Sequence, residues 1–297
     1  MNTRLDWDTD GLDWPHRQAS RFVVAAGLTW HIQQLGNGPP LLLIHGTAAS
    51  THSWRGLAPL LAKTHTVLSL DLPGHAFTSP LAGRPMTILN VANAIGELLR
   101  VLKFEPGLVI GHSAGAAILV RMCRDRLITP SDGLISINGA LLPYGGFPGR
   151  LFMPLARVVA ANPLVASLFS WRANDLSAVE RVLTGTGSRI DAHGLELYAR
   201  LFRNKVHTSS ALDMMANWDL DSTATDIAKL PMPVALIASG GDLAVAADDA
   251  FAVQARAPNA AVVFVRSLGH LAHEEAPDII AAHMSSRLHP SRAVESV

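Results

Sequence analysis

The chain has 297 residues, 49% of them hydrophobic and 16% charged, with 24 basic residues balanced by 24 acidic ones. That size supports a large α/β domain with an extensive core, and the zero net charge, with no long basic run, argues against a nucleic-acid partner. The single cysteine, Cys123, excludes an intrachain disulfide and CxxC-type metal spacing, and points to a reducing compartment, the cytoplasm.

The N-terminal "MNTRLDWDTDGLDWPHRQ" is acidic and lacks the basic start and apolar core of a secretory signal. "SRFVVAAG" and "LTWHIQQLG", with Gly27 between them, read as a β-hairpin. "PPLLLIHG" is a continuous apolar run ending in glycine, the pattern of a strand covered on both faces. "HSWRGLAPLLAKT" has helical spacing at Trp54, Leu57, Leu60 and Leu61. "HTVLSLDLPG", "GLVIGHS" and "GLISINGA" are further strands, separated by the helical runs "TILNVANAIGELLRVLK" and "AGAAILVRMCRDRL". This alternation predicts parallel βαβ units in a sheet with helices on both faces.

The alternation stops after Ala140. Between residues 141 and 225 the runs "RLFMPLARVVA", "LSAVERVL", "GLELYARLF" and "ALDMMANW" read as helices, and strands resume only at "PVALIASG" and "AAVVFVRS", before the closing helix "APDIIAAHMSSRLH". The chain therefore divides into a core, residues 1–140 and 226–297, and an inserted helical cap, 141–225, over the sheet edge where open α/β sheets bind ligands. The most apolar stretch, Leu151 to Trp171, carries Arg157, Pro154 and Pro163, so it reads as two short helices and not as a transmembrane span.

The chemistry concentrates at "GHSAG", where Ser113 stands between a buried strand and a helix. A chain that turns from strand to helix within one residue forces the apex into a strained conformation, and Gly111 and Gly115 relieve the crowding there. The hydroxyl is then held clear of the sheet, and the amide of Ala114, an orphan donor in the first helical turn, faces any negative charge that develops beside it. A serine needs a histidine base, oriented in turn by an acid. In this arrangement the chain order is serine, acid, histidine. His270, in "SLGHLAHEEAPD", follows the last strand and is preferred to His273; His283 and His289 fall in or after the final helix, on the wrong side. Asp242, directly after "ASGG", is the acid, while Asp248 and Asp249 fit a helix start. Asn138, at the end of the preceding strand, carries no charge and leaves Asp242 unopposed. The second oxyanion donor belongs in "HGTAAS", where Thr47 is preferred and Ala48 is second. His45, His75 and His112 read as structural.

"LLLIHGTAAS", "LDLPGHAFTS", "VIGHSAGAA", "SGGD" and "LGHLAHEEAPD" resemble, in order and spacing, the α/β-hydrolase superfamily. The resemblance implies a mostly parallel twisted sheet with the cap after its sixth strand, and its serine sets this chain apart from the dehalogenases and epoxide hydrolases, which carry aspartate at that point. "DWPHRQASRFVVAAGLTWHIQQLG", "NGALLPYGG", "RLFMPLARVVAANPLVASLF", "GTGSRIDAHGLELYARLFRN" and "MMANWDL" resemble more narrowly the magnesium-chelatase accessory proteins of bacteriochlorophyll biosynthesis. That implies a role near magnesium insertion into a tetrapyrrole, with magnesium chelatase as partner. Two departures stand out: Ala76, and Ala48 with Ala49, occupy places where relatives often carry glycine.

Two functions are therefore expected as alternatives. One is a serine hydrolase acting on an ester-type bond of a small apolar or tetrapyrrole substrate, with Tyr144, Phe147, Met153 and Trp171 lining its pocket beside Phe152, Phe169 and Phe202. Among Arg150, Arg157, Arg172, Arg181, Arg189, Arg200 and Arg203, one or two would meet propionates. The other is a non-catalytic accessory that holds a tetrapyrrole or docks on the chelatase. No GxxxxGK[ST] loop and no HExxH pair occurs, so neither a nucleotide cofactor nor a resident metal is expected.

Overall fold

The computed structural model describes residues 4–143 and 163–288. Eight strands form one sheet: β1 Ser20–Ala25, β2 Leu28–Leu35, β3 Pro40–Ile44, β4 Thr66–Leu70, β5 Leu108–His112, β6 Gly133–Ile137, β7 Val234–Ser239 and β8 Ala260–Val265. Their spatial order is β1-β2-β4-β3-β5-β6-β7-β8. The hairpin β1–β2 is antiparallel and joins β4 antiparallel, and every other pairing is parallel. All five residues of β5 and of β6 are buried, as are four of the five in β3, because helices cover both faces of the sheet. Each fully buried Leu or Ile there contributes about 1.5–3 kcal/mol.

The helices follow the chain as α1 Leu57–Leu61, α2 Ile88–Leu102, α3 Ala114–Arg124, α4 Pro163–Arg172, α5 Leu176–Thr184, α6 Ala192–Arg203, α7 Lys205–Ala216, α8 Thr223–Ile227, α9 Ala247–Gln254, α10 Ala272–Glu275 and α11 Pro277–Leu288. One core joins α2, α3 and α8 to a face of the sheet, through Val91, Ile95, Ile118, Met122 and Ile227. A second joins α1 and α11 to the opposite face, through Leu57, Leu61, Ile280 and Met284. Helices α4 to α8 all lie between β6 and β7, so the insertion follows the sixth strand. Side chains cap the starts of α5, α6 and α7: Asp175 accepts from Ser177 N, Asp191 from Gly194 N, and Asn204 from Val206 N and His207 N.

Two local expectations need correction. The helical run from His52 to Thr64 is two pieces, a 3-10 turn over Thr51–Trp54 and the short α1. Its break falls at Gly56, where a Cβ would lie 2.8 Å from the Pro277 ring. Asp248 and Asp249 sit in the first turn of α9 without capping it, since Ala246 holds the cap position. They meet the positive end of the helix dipole instead.

Candidate active site

Ser113 stands between β5 and α3 at φ 50°, ψ −119°, a positive-φ conformation for a residue with a Cβ. Its amide donates to the Ile137 carbonyl at 3.0 Å, and its carbonyl accepts from Ala116 N and Ala140 N, both at 3.1 Å. The glycines around it have separate duties. A Cβ on Gly111 would lie 2.5 Å from Ala116 N, at the start of α3, whereas one on Gly115 would run into the Ile44 carbonyl oxygen at the end of β3. A third glycine is needed as well: a Cβ on Gly46 would lie 3.0 Å from Ser113 Cβ and 2.8 Å from His112 Nδ1. The loop that begins at Gly46 is thus pressed against the serine.

Thr47 and Ala114 lie on the two sides of that contact, and among the described residues neither backbone amide has an acceptor. The alternative donor is occupied, because Ala48 N donates to His75 Nε2 at 3.3 Å. Asp242 Oδ2 accepts from His270 Nδ1 at 2.7 Å, while Asp242 Oδ1 accepts from Ala244 N and Val245 N, both at 2.8 Å. The carboxylate side chain is 1% exposed and the imidazole 11%. The Nδ1 contact directs Nε2 away from the acid. Among the described residues the Ser113 hydroxyl makes no hydrogen bond to that ring. The two are neighbours all the same: His112, next to Ser113, has its ring centroid 4.7 Å from that of His270, tilted by 57°, and donates from Nε2 to the His270 carbonyl at 3.0 Å.

The three structural histidines are fixed by their partners. His45 Nε2 accepts from Leu72 N, so its Nδ1 carries the proton and faces the Gly46 carbonyl. His75 Nδ1 donates to the Pro73 carbonyl. Burial lowers all three, His45 to about 4. His273 is fully buried between Trp54 and His112, with ring centroids 4.6 and 4.4 Å away, so it lies behind the site. His283 is in α11, and His289 is outside the described residues.

Several residues that position the site escaped the motif reading. Asn138, noted only for lacking a charge, donates through Nδ2 to the carbonyls of Gly269 and His270 at 3.0 and 2.9 Å and accepts from Ser239 N at 2.9 Å. It ties the ends of β6 and β7 to the histidine loop. The inserted segment 185–188 reaches both loops: the Thr186 carbonyl accepts from Leu243 N at 3.1 Å and from His270 N at 3.3 Å, and Ser188 Oγ accepts from Leu271 N at 2.8 Å. Gly187, at φ +83°, packs so closely that a Cβ would strike the Gly241 carbonyl. Glu275 accepts from Gly269 N at 2.9 Å. Glu274, buried beside Arg55, accepts from the Tyr198 hydroxyl at 2.7 Å, which anchors α10 to α6.

Of the expected pocket residues, Trp171 lies on α4 and is 65% exposed; Tyr144, Phe147, Phe152 and Met153 lie outside the described residues. Phe202 is buried against Tyr198 and Phe169. Arg200 pairs with Asp13, Arg181 with Asp175, and Arg203 donates to the Ala173 carbonyl. Arg172 and Arg189 are exposed, and Arg150 and Arg157 lie outside the described residues. Among the described residues no cluster of three His, Cys, Asp or Glu side chains could hold a metal, and no helix is long and apolar enough to cross a membrane.

Known proteins agree with this geometry at the level of family and fold. The magnesium-chelatase 30 kDa subunit of Rhodobacter capsulatus is 35% identical over 268 residues, covering 90% of this chain and 93% of that one. A fluoroacetate dehalogenase of a Burkholderia species is 38% identical over 109 residues, covering 35% of this chain and 36% of that one. Among solved structures, an α/β-hydrolase-fold protein from Burkholderia ambifaria superposes with a TM-score of 0.75 at 22% identity, covering 96% of this chain and 99% of its own. The epoxide hydrolase CorEH does so with 0.77 at 23% identity, covering 92% and 99%. A family profile described as the alpha/beta hydrolase family matches residues 41–283, and with the strand order and insertion point already given, the chain belongs to that family.

Proposed function

We propose that the protein is a serine hydrolase that cleaves an ester-type bond and serves magnesium insertion into a tetrapyrrole. The observation that carries the reading is the pair of unbonded amides, Thr47 and Ala114, on either side of a strained serine. An unbonded N–H away from bulk water is costly unless something accepts from it. Two of them beside one hydroxyl make sense as donors to an oxygen that becomes negative only during reaction.

The chemistry then runs as acyl transfer. Ser113 Oγ attacks the substrate carbonyl carbon while its proton passes to His270 Nε2. Asp242 keeps the Nδ1 proton in place and stabilises the imidazolium. The carbonyl oxygen, now an oxyanion, accepts from Thr47 N–H and Ala114 N–H. Collapse of the intermediate breaks the bond to the leaving oxygen, which takes the proton from His270. Water adds to the acyl-enzyme, its proton moving to His270 and then back to Ser113 as the acid leaves. Of the expected pocket, Trp171, on the inserted helix α4, is offered as a contact for a small apolar or tetrapyrrole-type group. The core 1–140 with 226–297 and the cap 141–225 are the units that would enclose it. The cytoplasm is the proposed compartment, where the buried Cys123, its thiol pushed up to about 12 by burial, stays reduced.

A second reading, a non-catalytic accessory that holds a tetrapyrrole or docks on magnesium chelatase, is favoured by the name of the Rhodobacter capsulatus relative, a chelatase subunit. A panel of short-chain p-nitrophenyl esters and tetrapyrrole alkyl esters separates the two. Turnover that disappears in Ser113→Ala supports the hydrolase. Wild-type protein that binds tetrapyrrole but releases no alcohol from any ester supports the accessory.

A further inference from the structure

We propose that His207, from the inserted helix α7, is a positioning residue for the oxyanion hole, holding the turn after Gly46 in the conformation that leaves the Thr47 amide free. The inference rests on the hydrolase reading above and adds a residue to it.

Two alanines raise the question. Ala48 has φ +62° and Ala76 has φ +41°, the region where a Cβ crowds the following carbonyl and where glycine is the usual residue. Nothing intrinsic to alanine favours either conformation, so each must be imposed by its surroundings. One imidazole touches both. Ala76 N–H donates to His207 Nδ1 at 3.1 Å, and His207 Nε2 faces the Ala48 carbonyl at 3.1 Å. The amide fixes Nδ1 as the acceptor, so the ring proton resides on Nε2 and is donated to Ala48. The opposite side of Ala48 is held by His75, whose Nδ1 donates to the Pro73 carbonyl and whose Nε2 therefore accepts from Ala48 N–H. Ala48 is gripped at both of its peptide groups, by one histidine from the core and one from the insertion.

The grip is stiff. His207 is 1% exposed, so water cannot replace it, and burial lowers its pKa to about 4, which keeps one neutral tautomer at neutral pH. Its helix is anchored at that point, since the Asn204 side chain accepts from the amides of Val206 and His207, both at 3.1 Å. The same helix reaches the neighbouring residue, where Thr47 Oγ1 contacts Met214 Sδ at 3.1 Å. Without His207 the Ala48 carbonyl and the Ala76 amide lose their partners in a dry site, and the turn relaxes toward negative φ. The donor at Thr47 turns with it.

Phosphonylation by an alkyl fluorophosphonate reads this directly, because Ser113 Oγ displaces fluoride from phosphorus while the phosphoryl oxygen sits in the oxyanion hole. Maximal labelling rate and inhibitor affinity are measured separately. His207→Ala is expected to lower the maximal rate about 10- to 100-fold, the scale of a displaced catalytic group, with affinity within about threefold. Ala48→Gly added to it should recover most of the rate, because glycine takes positive φ without a tether. Should His207→Ala not fold, His207→Gln, which keeps the bulk and one hydrogen-bonding end, is held to the same outcomes. A folded variant that labels at the wild-type rate, or a loss that Ala48→Gly leaves untouched, overturns the inference while wild-type labelling keeps the hydrolase reading intact. Wild-type protein that does not label overturns both.

Discussion

His31–Asp71 and His270–Asp242 are built on the same contact, Nδ1 to Oδ2 at 2.7 Å, in different surroundings. Both side chains of the first pair are 0% exposed. Its Nε2 is met by Ser20 Oγ at 3.0 Å, and that hydroxyl also accepts from Gln33 Nε2 at 3.1 Å. Trp7, Phe22 and Phe77 pack around the ring. Burial alone would raise the Asp71 carboxyl; His31, His45 and the Thr51 amide more than offset it and hold it below its ordinary value. A Ser-His-Asp chain of hydrogen bonds is therefore complete at residues 20, 31 and 71, yet Ser20 follows the ordinary extended backbone that begins β1, with φ −83° and ψ 143°. The contrast teaches that the bond chain is not the distinguishing feature. A strained apex, unbonded amides and an imidazole with an open edge are, and among the described residues the Ser113 region combines them.

The comparison breaks most sharply by mutation. Ser113→Ala, His270→Ala and Asp242→Asn are each expected to lower kcat on the order of 10⁴-fold with little change in melting temperature. His31→Ala should show the reverse, a loss of about 3–5 kcal/mol in a denaturant titration because Asp71 is left buried and unpaired, while activity per folded molecule stays within a few-fold. Equal kinetic damage from both sets would erase the distinction.

Acid sharpens the same contrast. Burial lowers the pKa of six histidines, His45, His52, His75, His112, His207 and His273. A depressed folded-state pKa gives stability that is fully present above the ordinary 6.5 and is lost as pH falls toward about 4, the value for His45 and His207. Each group costs up to about 1.4 kcal/mol per pH unit in that window, so circular dichroism should report cooperative unfolding above pH 4. The Asp71 carboxyl, held below its ordinary value by His31, His45 and the Thr51 amide against the opposing effect of burial, is expected to stay ionised until then. Smallest is Gly115→Ala, which drives a Cβ into the Ile44 carbonyl. It should cost about 1–3 kcal/mol and slow turnover too, whereas Gly27→Ala at the open β1–β2 turn should leave turnover unchanged.

Much of this was legible because it is local. Continuous apolar runs such as "PPLLLIHG" and "GLISINGA" become buried strands through their own composition, and "GHSAG" states a backbone problem that only small residues solve. Asp242 and His270 were readable from their places after strand ends, and the structure brings them together at 2.7 Å. What stayed hidden acts across long separations: Asn138 on a loop 131 and 132 residues away, His207 on Ala48, and Thr186 on two loops at once. A side chain that serves by holding another backbone leaves no periodic or motif signature. Asn138 carries no charge that a motif would mark, and its amide ties the strand ends to the histidine loop. The two alanines were visible as departures from glycine, but the histidine that holds them both was not.

Intact-mass and peptide analysis after treatment with a fluorophosphonate tests the central claim most directly, because it asks the folded protein which serine is a nucleophile. The account requires one adduct, on Ser113, absent from both Ser113→Ala and His270→Ala. No adduct on the wild-type protein, or an adduct on Ser20 that persists in Ser113→Ala, would contradict it.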